Sequence, residues 1–280
     1  MKLASYRLDG EDTFGAVVGD GVVTVGGRKG RFPTLREVIA ANGLDEIRRA
    51  VAGKTAERKL SDIRFLPVIP DPPKILCVGI NYKSHAEETG RDTMSNPQIF
   101  LRLANTLIGH DGEMVRPKVS TNFDFEGELA AIIGKPGRHI KESDALAHVA
   151  GYTCFVDGSV RDYQKHSVTA GKNFSATGPL GPWMVTSDEI RDPTVMTLMT
   201  RLNGVEMQRS GTDMLIYSIP RIISYVSDFT PLEPGDVIAT GTPAGVGHRR
   251  NPPVWMKAGD VLEVEITGIG TLRSRIVDES

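Results

Sequence analysis

The segment VLEVEITGIGTLRSRIVDE, close to the C-terminus, alternates apolar and polar residues around a Gly-Ile-Gly turn. Period-two alternation puts Leu262, Val264 and Ile266 on one face and Glu263 and Glu265 on the other, the pattern of a strand with one face in a core. The signature recurs at the N-terminus, where KLASYRL, TFGAVVG and GVVTVGG are separated by DGED and GDG. Within TVMTLMTRLNGVEMQRS, Asn203-Gly204 is a strong hairpin signal, because both residues tolerate positive φ. KILCVGI, GELAAIIG and GYTCFVDG read as short buried strands. Helical stretches are fewer. TLREVIAANG and LDEIRRAVAG each close on a Gly suited to a helix end, YKSHAEET stops at Gly90, ESDALAH is a further helix, and SIPRIISYVSDF carries Pro220 in its first turn. Strands outnumber helices and are not regularly interleaved with long ones, which argues against a doubly wound sheet. The predicted class is α+β, mostly β.

The stretch RKLSDIRFLPVIPDPPK, with Pro67, Pro70, Pro72 and Pro73, reads as a linker. It divides a small N-terminal α+β domain, residues 1–70, from a larger domain, residues 71–280. The first carries no cluster of potential catalytic groups. A chain of 280 residues, 40% of them apolar, can bury a large core without disulfides or structural metal. Cys77 and Cys154 sit inside apolar runs, far apart, and read as small buried hydrophobes. The formal net charge of −2 and the lack of a basic stripe give no case for nucleic acid. No apolar run is long enough to span a membrane, and MKLASYRLDG does not look like a signal peptide, so a cytoplasmic location is expected.

The densest chemistry lies in DFEGELAAIIG. In a strand, Asp124, Glu126 and Glu128 would project from one face. Carboxylates leading into an apolar run are costly unless a cation neutralises them. By spacing alone a solvated acidic face is the better reading, since charges are usually exposed. Asp157 ends the apolar run GYTCFV, and it either caps the short helix that follows or joins the other two carboxylates. A site of carboxylates without His or Cys favours hard ions, Mg²⁺ or Mn²⁺, with Ca²⁺ also allowed. Zinc is disfavoured because the six histidines show no paired spacing.

At this point the residues resemble a family. NYKSHAEE, FEGELAAIIGK, GYTCFVDGSVRDYQ, AGKNF with TGPLGPW, and GTPAGVG occur in the order seen in the fumarylacetoacetate hydrolase family, from about Lys74 onward. The resemblance implies a mixed β-roll or β-sandwich catalytic domain, usually a homodimer. It implies Mg²⁺ or Mn²⁺ at Glu126, Glu128 and Asp157, leaving Asp124 out, and a small 2-oxo acid as substrate. It implies that His85 and Glu88 form a base pair in a lid helix, and that Lys172 stands beside the substrate. Arg161, Gln164 and Thr242 match residues that contact the substrate or brace the site. The plainer alternative for His85, Glu88, Lys172 and the Arg161–Gln164 pair is ordinary solvated surface. Two departures stand out. Val156 replaces an Asn common beside the aspartate ligand, and Arg102 stands where many relatives have Lys, an extra cation that could favour a dicarboxylic substrate.

The implied activity is metal-dependent hydrolysis of a C–C bond in an acylpyruvate such as fumarylpyruvate or maleylpyruvate, giving pyruvate and a carboxylic acid in aromatic-compound catabolism. Oxaloacetate decarboxylation or 2-hydroxydiene-dioate isomerisation on the same metal site is the alternative. A non-catalytic metal-dependent binding protein is a third reading, disfavoured by the joint presence of His85, Glu88, Gln164 and Lys172.

Overall fold

The computed structural model describes residues 1–27, 30–92 and 94–280. Among them strands dominate, as the alternation predicts. They form one mixed sheet of twelve strands, and a five-stranded sheet shares a core with part of it. At the centre of the large sheet, Gly127–Ile133 lies between Val149–Val156 and Val237–Ala239. Beyond Val237–Ala239 come Ile75–Gly79, paired in parallel, and then Gln98–Arg102.

Gly127–Ile133 is buried on both sides, which explains its run of apolar residues. Leu129, Ala131 and Ile133 face the five-stranded sheet, packing in one core with Leu198, Leu262 and Val264. Ala130 and Ile132 face the opposite way, in a core shared with Leu3, Leu35 and Val38 of the N-terminal region. Burying each Leu or Ile of these layers stabilises the fold by about 1.5–3 kcal/mol.

The N-terminal strands belong to the same sheet. Lys2–Leu8 pairs with Gly178–Thr186, so ladder hydrogen bonds join residues 1–70 to the rest. The proline-rich stretch between them is not a free tether: Val68 and Ile69 are fully buried. No helix among the described residues is long and apolar enough to cross a membrane.

Local signals hold at most positions. Asn203 and Gly204 take φ of 52° and 78° between Thr197–Leu202 and Val205–Gly211. Gly90 ends the helix Lys83–Thr89 in the left-handed conformation, φ 64°. Ser218 caps Ile219–Phe229, accepting from the Arg221 amide. Two expectations need correcting. After Leu35–Ala40 the left-handed residue is Asn42, φ 53°, while Gly43 precedes the next helix, Leu44–Val51, as its N-cap. ESDALAH forms a 3₁₀ helix, Glu142–His148, rather than an α-helix.

Candidate metal centre and active site

Strand register assembles the carboxylates. Gly127 pairs with Val156, and Glu128 with Phe155, in an antiparallel ladder. One step further the Asp157 amide donates to the Glu126 carbonyl at 2.9 Å, so Glu126 stands opposite Asp157. Period two then returns Glu128 to the side of Glu126. One carboxylate oxygen from each of Glu126, Glu128 and Asp157 lies within 4.8 Å of the others, and all three residues are buried. Asp157 does not cap a helix: the cap position of Arg161–Gln164 is Val160.

Asp124 belongs to a separate two-residue strand, Phe123–Asp124, and lies outside this cluster. It accepts from Arg161 Nε at 2.8 Å and from the amides of Gly247 and His248 at 2.8 and 3.0 Å. Its role is to seat Arg161, whose Nη2 also lies 2.7 Å from Glu126 Oε1.

Lys172 ends the short helix Val168–Lys172 and is 2% exposed. Its Nζ donates to Glu126 Oε2 at 2.6 Å and to Asp157 Oδ2 at 2.5 Å. Arg102 is the residue whose place differs most from expectation. It does not line the cavity and cannot select a substrate by contact. Instead its Nη1 donates to Asp157 Oδ1 at 2.5 Å and to the Gly158 carbonyl at 3.0 Å, while Nη2 donates to Thr177 Oγ1 at 2.8 Å.

The charges do not balance. Four buried carboxylates, Asp124, Glu126, Glu128 and Asp157, face three cations, Arg102, Arg161 and Lys172. Glu128 is the one left over. Its partner is the Gly241 amide, 2.9 Å from Oε2, and no Lys or Arg among the described residues reaches ion-pair distance of it. Burial, then Asp157 and Glu126 beside it, push the Glu128 carboxyl well above the usual range; Lys172 and the Gly241 amide offset only part. Burial also pushes on Glu126, but Lys172, Arg161 and His85 outweigh it and hold that carboxyl below the usual range. A buried acid cluster with one carboxylate lacking a counter-charge fits a divalent cation, and an all-oxygen donor set fits a hard one.

The cluster floors a cavity of about 760 Å³. Seven of the nine expected site residues line it, and the other two, Glu88 and Asp157, stand directly behind. His85 is 6% exposed, its Nδ1 2.8 Å from Glu88 Oε2, and Glu88 Oε1 accepts from the Gly245 amide at 2.8 Å. That leaves Nε2 as the ring nitrogen free for chemistry. Gln164 Oε1 accepts from Arg161 Nη1 at 2.8 Å. The Thr242 hydroxyl donates to the Gly127 carbonyl and accepts from Gln208 Nε2, both at 2.8 Å, so it reaches a ligand as a donor only by giving up the first bond. Arg91, Lys165 and Arg249 are exposed at the wall of the cavity, whose lining carboxylates are Glu126 and Glu128 on the floor.

Sequence reasoning misses three supports. Asn81 donates to the carbonyls of Tyr217 and Thr240 and accepts from the Tyr217 amide, pinning the start of the His85 helix to the Gly241–Gly247 loop. Gly245 anchors Glu88 through its amide, which no side-chain pattern records. Arg102 leaves a usable trace: an arginine inside the strand sequence FLRL, if it turns inward, needs a buried acid.

Fold and site together define a mixed-β protein with a buried carboxylate cluster able to hold a divalent ion and a His–Glu pair at the same cavity. The chain belongs to the fumarylacetoacetate hydrolase family: the family model described as Fumarylacetoacetate (FAA) hydrolase C-terminal matches residues 74–277. It is 38% identical over 266 residues to the mitochondrial oxaloacetate tautomerase FAHD2A of Homo sapiens, covering 92% of this chain and 85% of that one. Among solved structures it is similar to a fumarylacetoacetate hydrolase from psychrophilic Exiguobacterium antarcticum, 33% identical with a TM-score of 0.84 over the whole of both chains. It is similar also to maleylpyruvate hydrolase from Sphingobium sp. SYK-6 in complex with manganese (II) ion and pyruvate, 28% identical with a TM-score of 0.85, again over the whole of both chains.

Proposed function

We propose that this protein is a divalent-metal-dependent enzyme that catalyses keto–enol proton transfer on a small 2-oxo diacid, with oxaloacetate as the first substrate to test. The observation that carries this reading is the pair of proton-handling side chains facing one cavity, His85 and Lys172, above a carboxylate cluster short of one positive charge. The similarity to oxaloacetate tautomerases across 92% of the chain supports the substrate class.

A divalent ion held by Glu126, Glu128 and Asp157 would supply Lewis-acid polarisation of the 2-oxo group. The rest falls to the chain. Arg91, Lys165 and Arg249 draw a dianion towards the cavity. His85 Nε2 removes a proton from the carbon next to the ketone, and Glu88 stabilises the imidazolium that forms. Burial opposes the charge on Lys172, but Asp157 and Glu126 outweigh it and keep the ammonium protonated. That ammonium stabilises negative charge developing on the oxygen. Return of that proton from the His85 imidazolium to the oxygen gives the enol and restores the neutral ring, and the reverse path restores the ketone, so no other product forms.

A second reading, hydrolytic cleavage of an acylpyruvate, is favoured by one observation: the cavity of about 760 Å³ exceeds what a four-carbon acid needs. The fold match to maleylpyruvate hydrolase supports it. One panel separates the two. Oxaloacetate, fumarylpyruvate and maleylpyruvate are each incubated with protein reloaded with Mn²⁺ after chelation. Accelerated ketonisation of enol-oxaloacetate with no new acid supports the tautomerase; two acids from an acylpyruvate support the hydrolase; loss of carbon dioxide from oxaloacetate supports a decarboxylase.

A further inference from the structure

The His248 ring is a polar group at the cavity that the fold leaves unused. It sits in the 3₁₀ turn Gly247–Arg249, whose backbone is held firmly. Asp124 accepts from the amides of Gly247 and His248 at 2.8 and 3.0 Å, and the Val254 amide donates to the Gly247 carbonyl at 3.0 Å. The next residue, Arg250, donates through Nη2 to the Met207 carbonyl at 2.6 Å. From this fixed turn the His248 ring lines the cavity and tilts against Trp255, with ring centroids 5.7 Å apart. Its Nδ1 is buried without a hydrogen-bond partner, and Nε2 has none among the described residues either. Burial, then Arg161 and Arg249, hold the imidazole below its usual value, with Asp124 opposing, so the ring is neutral. A neutral imidazole carries one N–H, and placing it on Nε2 avoids a buried donor with no acceptor. That N–H is left for a ligand.

The charges around the ring are unbalanced in the same sense. Lys165 and Arg249 are exposed at the cavity wall, act on the ring electrostatically, and have no carboxylate within ion-pair distance among the described residues. Arg249 bonds only the Thr89 carbonyl, a neutral acceptor, at 3.3 Å. Arg161, the third cation near the ring, is already engaged, donating to Asp124 and to Gln164 Oε1, both at 2.8 Å. We propose that His248, with Lys165 and Arg249, forms the subsite for the second carboxylate of the substrate and makes the protein selective for 2-oxo diacids over 2-oxo monoacids. The proposal rests on the diacid reading above and adds a contact to the long-range attraction of a dianion. A hydrogen bond from His248 Nε2 to a carboxylate is charge-assisted, and the two free cations strengthen it. A monoacid would leave that N–H and both cations facing a methyl group, and a site built to bond a polar group rejects the analogue that lacks it.

The test is calorimetric binding to the full-length protein reloaded with Mn²⁺, using a matched pair of acids. These are oxaloacetate and 2-oxobutanoate, which has a methyl group in place of the second carboxylate. The unsubstituted protein is expected to bind oxaloacetate more tightly by about tenfold or more. His248→Leu should remove most of that preference while the 2-oxobutanoate Kd changes by less than about twofold. His248→Gln, which keeps an N–H donor, should retain part of the preference, although it too loses the ring on Trp255. If His248→Leu does not fold, the double variant Lys165→Gln/Arg249→Gln, at two exposed positions, is expected to narrow the ratio of the two Kd values. Equal losses for the two acids in the variant that folds, or no loss for either, would overturn the inference alone. No preference for oxaloacetate in the unsubstituted protein would overturn it together with the diacid reading, and failure to bind either acid would overturn the proposed function as well.

Discussion

Lys172 holds two carboxylates, Glu126 and Asp157, and is almost fully buried, so its removal has two separable effects. Lys172→Met leaves both acids without that partner, which costs about 3–5 kcal/mol in metal-free protein. Mn²⁺ should restore much of this stability, because the ion replaces the lost charge, but it should not restore turnover. Urea midpoints with and without Mn²⁺ check the first effect, and enol-oxaloacetate ketonisation checks the second. His85→Asn should lower kcat by about a hundred- to ten-thousand-fold while leaving the Mn²⁺ Kd unchanged, since His85 is not in the carboxylate cluster.

A residue far from the site sets a pH dependence. Burial holds the His110 imidazole below its usual value, against the pull of Asp111 and with a small push from Arg273. Its Nδ1 accepts from the Arg273 amide at 3.0 Å, which fits the neutral ring. The unfolded chain therefore binds a proton near pH 6.5 that the folded protein refuses, and stability falls as pH drops through and below that value. His110→Gln should flatten this part of the slope, as urea midpoints across the range would show.

At the scale of elements, what is legible in the residues depends on whether the cause is local. Asn203-Gly204, Gly90 and Ser218 act within a turn, and each forms the element its neighbours predict. Glu126, Glu128 and Asp157 are legible as a group only through the family's order of motifs, because their meeting depends on a register between two strands. Arg102 is legible as an unusual cation but not by its partner, since an arginine in FLRL could face either side and its acid lies 55 residues away. Gly43 misleads because Asn42 also tolerates positive φ and comes first.

Gly158 shows how tightly the element carrying Asp157 is held. A Cβ there would lie 2.2 Å from the Thr177 carbonyl oxygen and 2.5 Å from Met114 Cε. Gly158→Ala must displace the turn that carries both Asp157 and a carbonyl bonded to Arg102. The expected outcome is a lower melting temperature together with weaker Mn²⁺ binding, measured by thermal denaturation and by Mn²⁺ titration.

At the scale of the whole molecule, a central strand buried on both faces delivers Glu128 to the floor of the cavity, and the N-terminal strands close the same sheet. An ion that binds only the folded cluster should stabilise the entire fold, by about 2.7 kcal/mol at a hundred times its Kd. Mn²⁺ added to chelated protein should therefore raise the melting temperature, and should raise it far less in Glu128→Gln.

The most direct measurement is the rate of enol-oxaloacetate ketonisation by chelated protein, before and after Mn²⁺ or Mg²⁺ is restored, in the unsubstituted chain and in Glu128→Gln. The account predicts a rate that returns with the ion in the first and stays near background in the second. An undiminished rate in the chelated protein, or in Glu128→Gln, would contradict it.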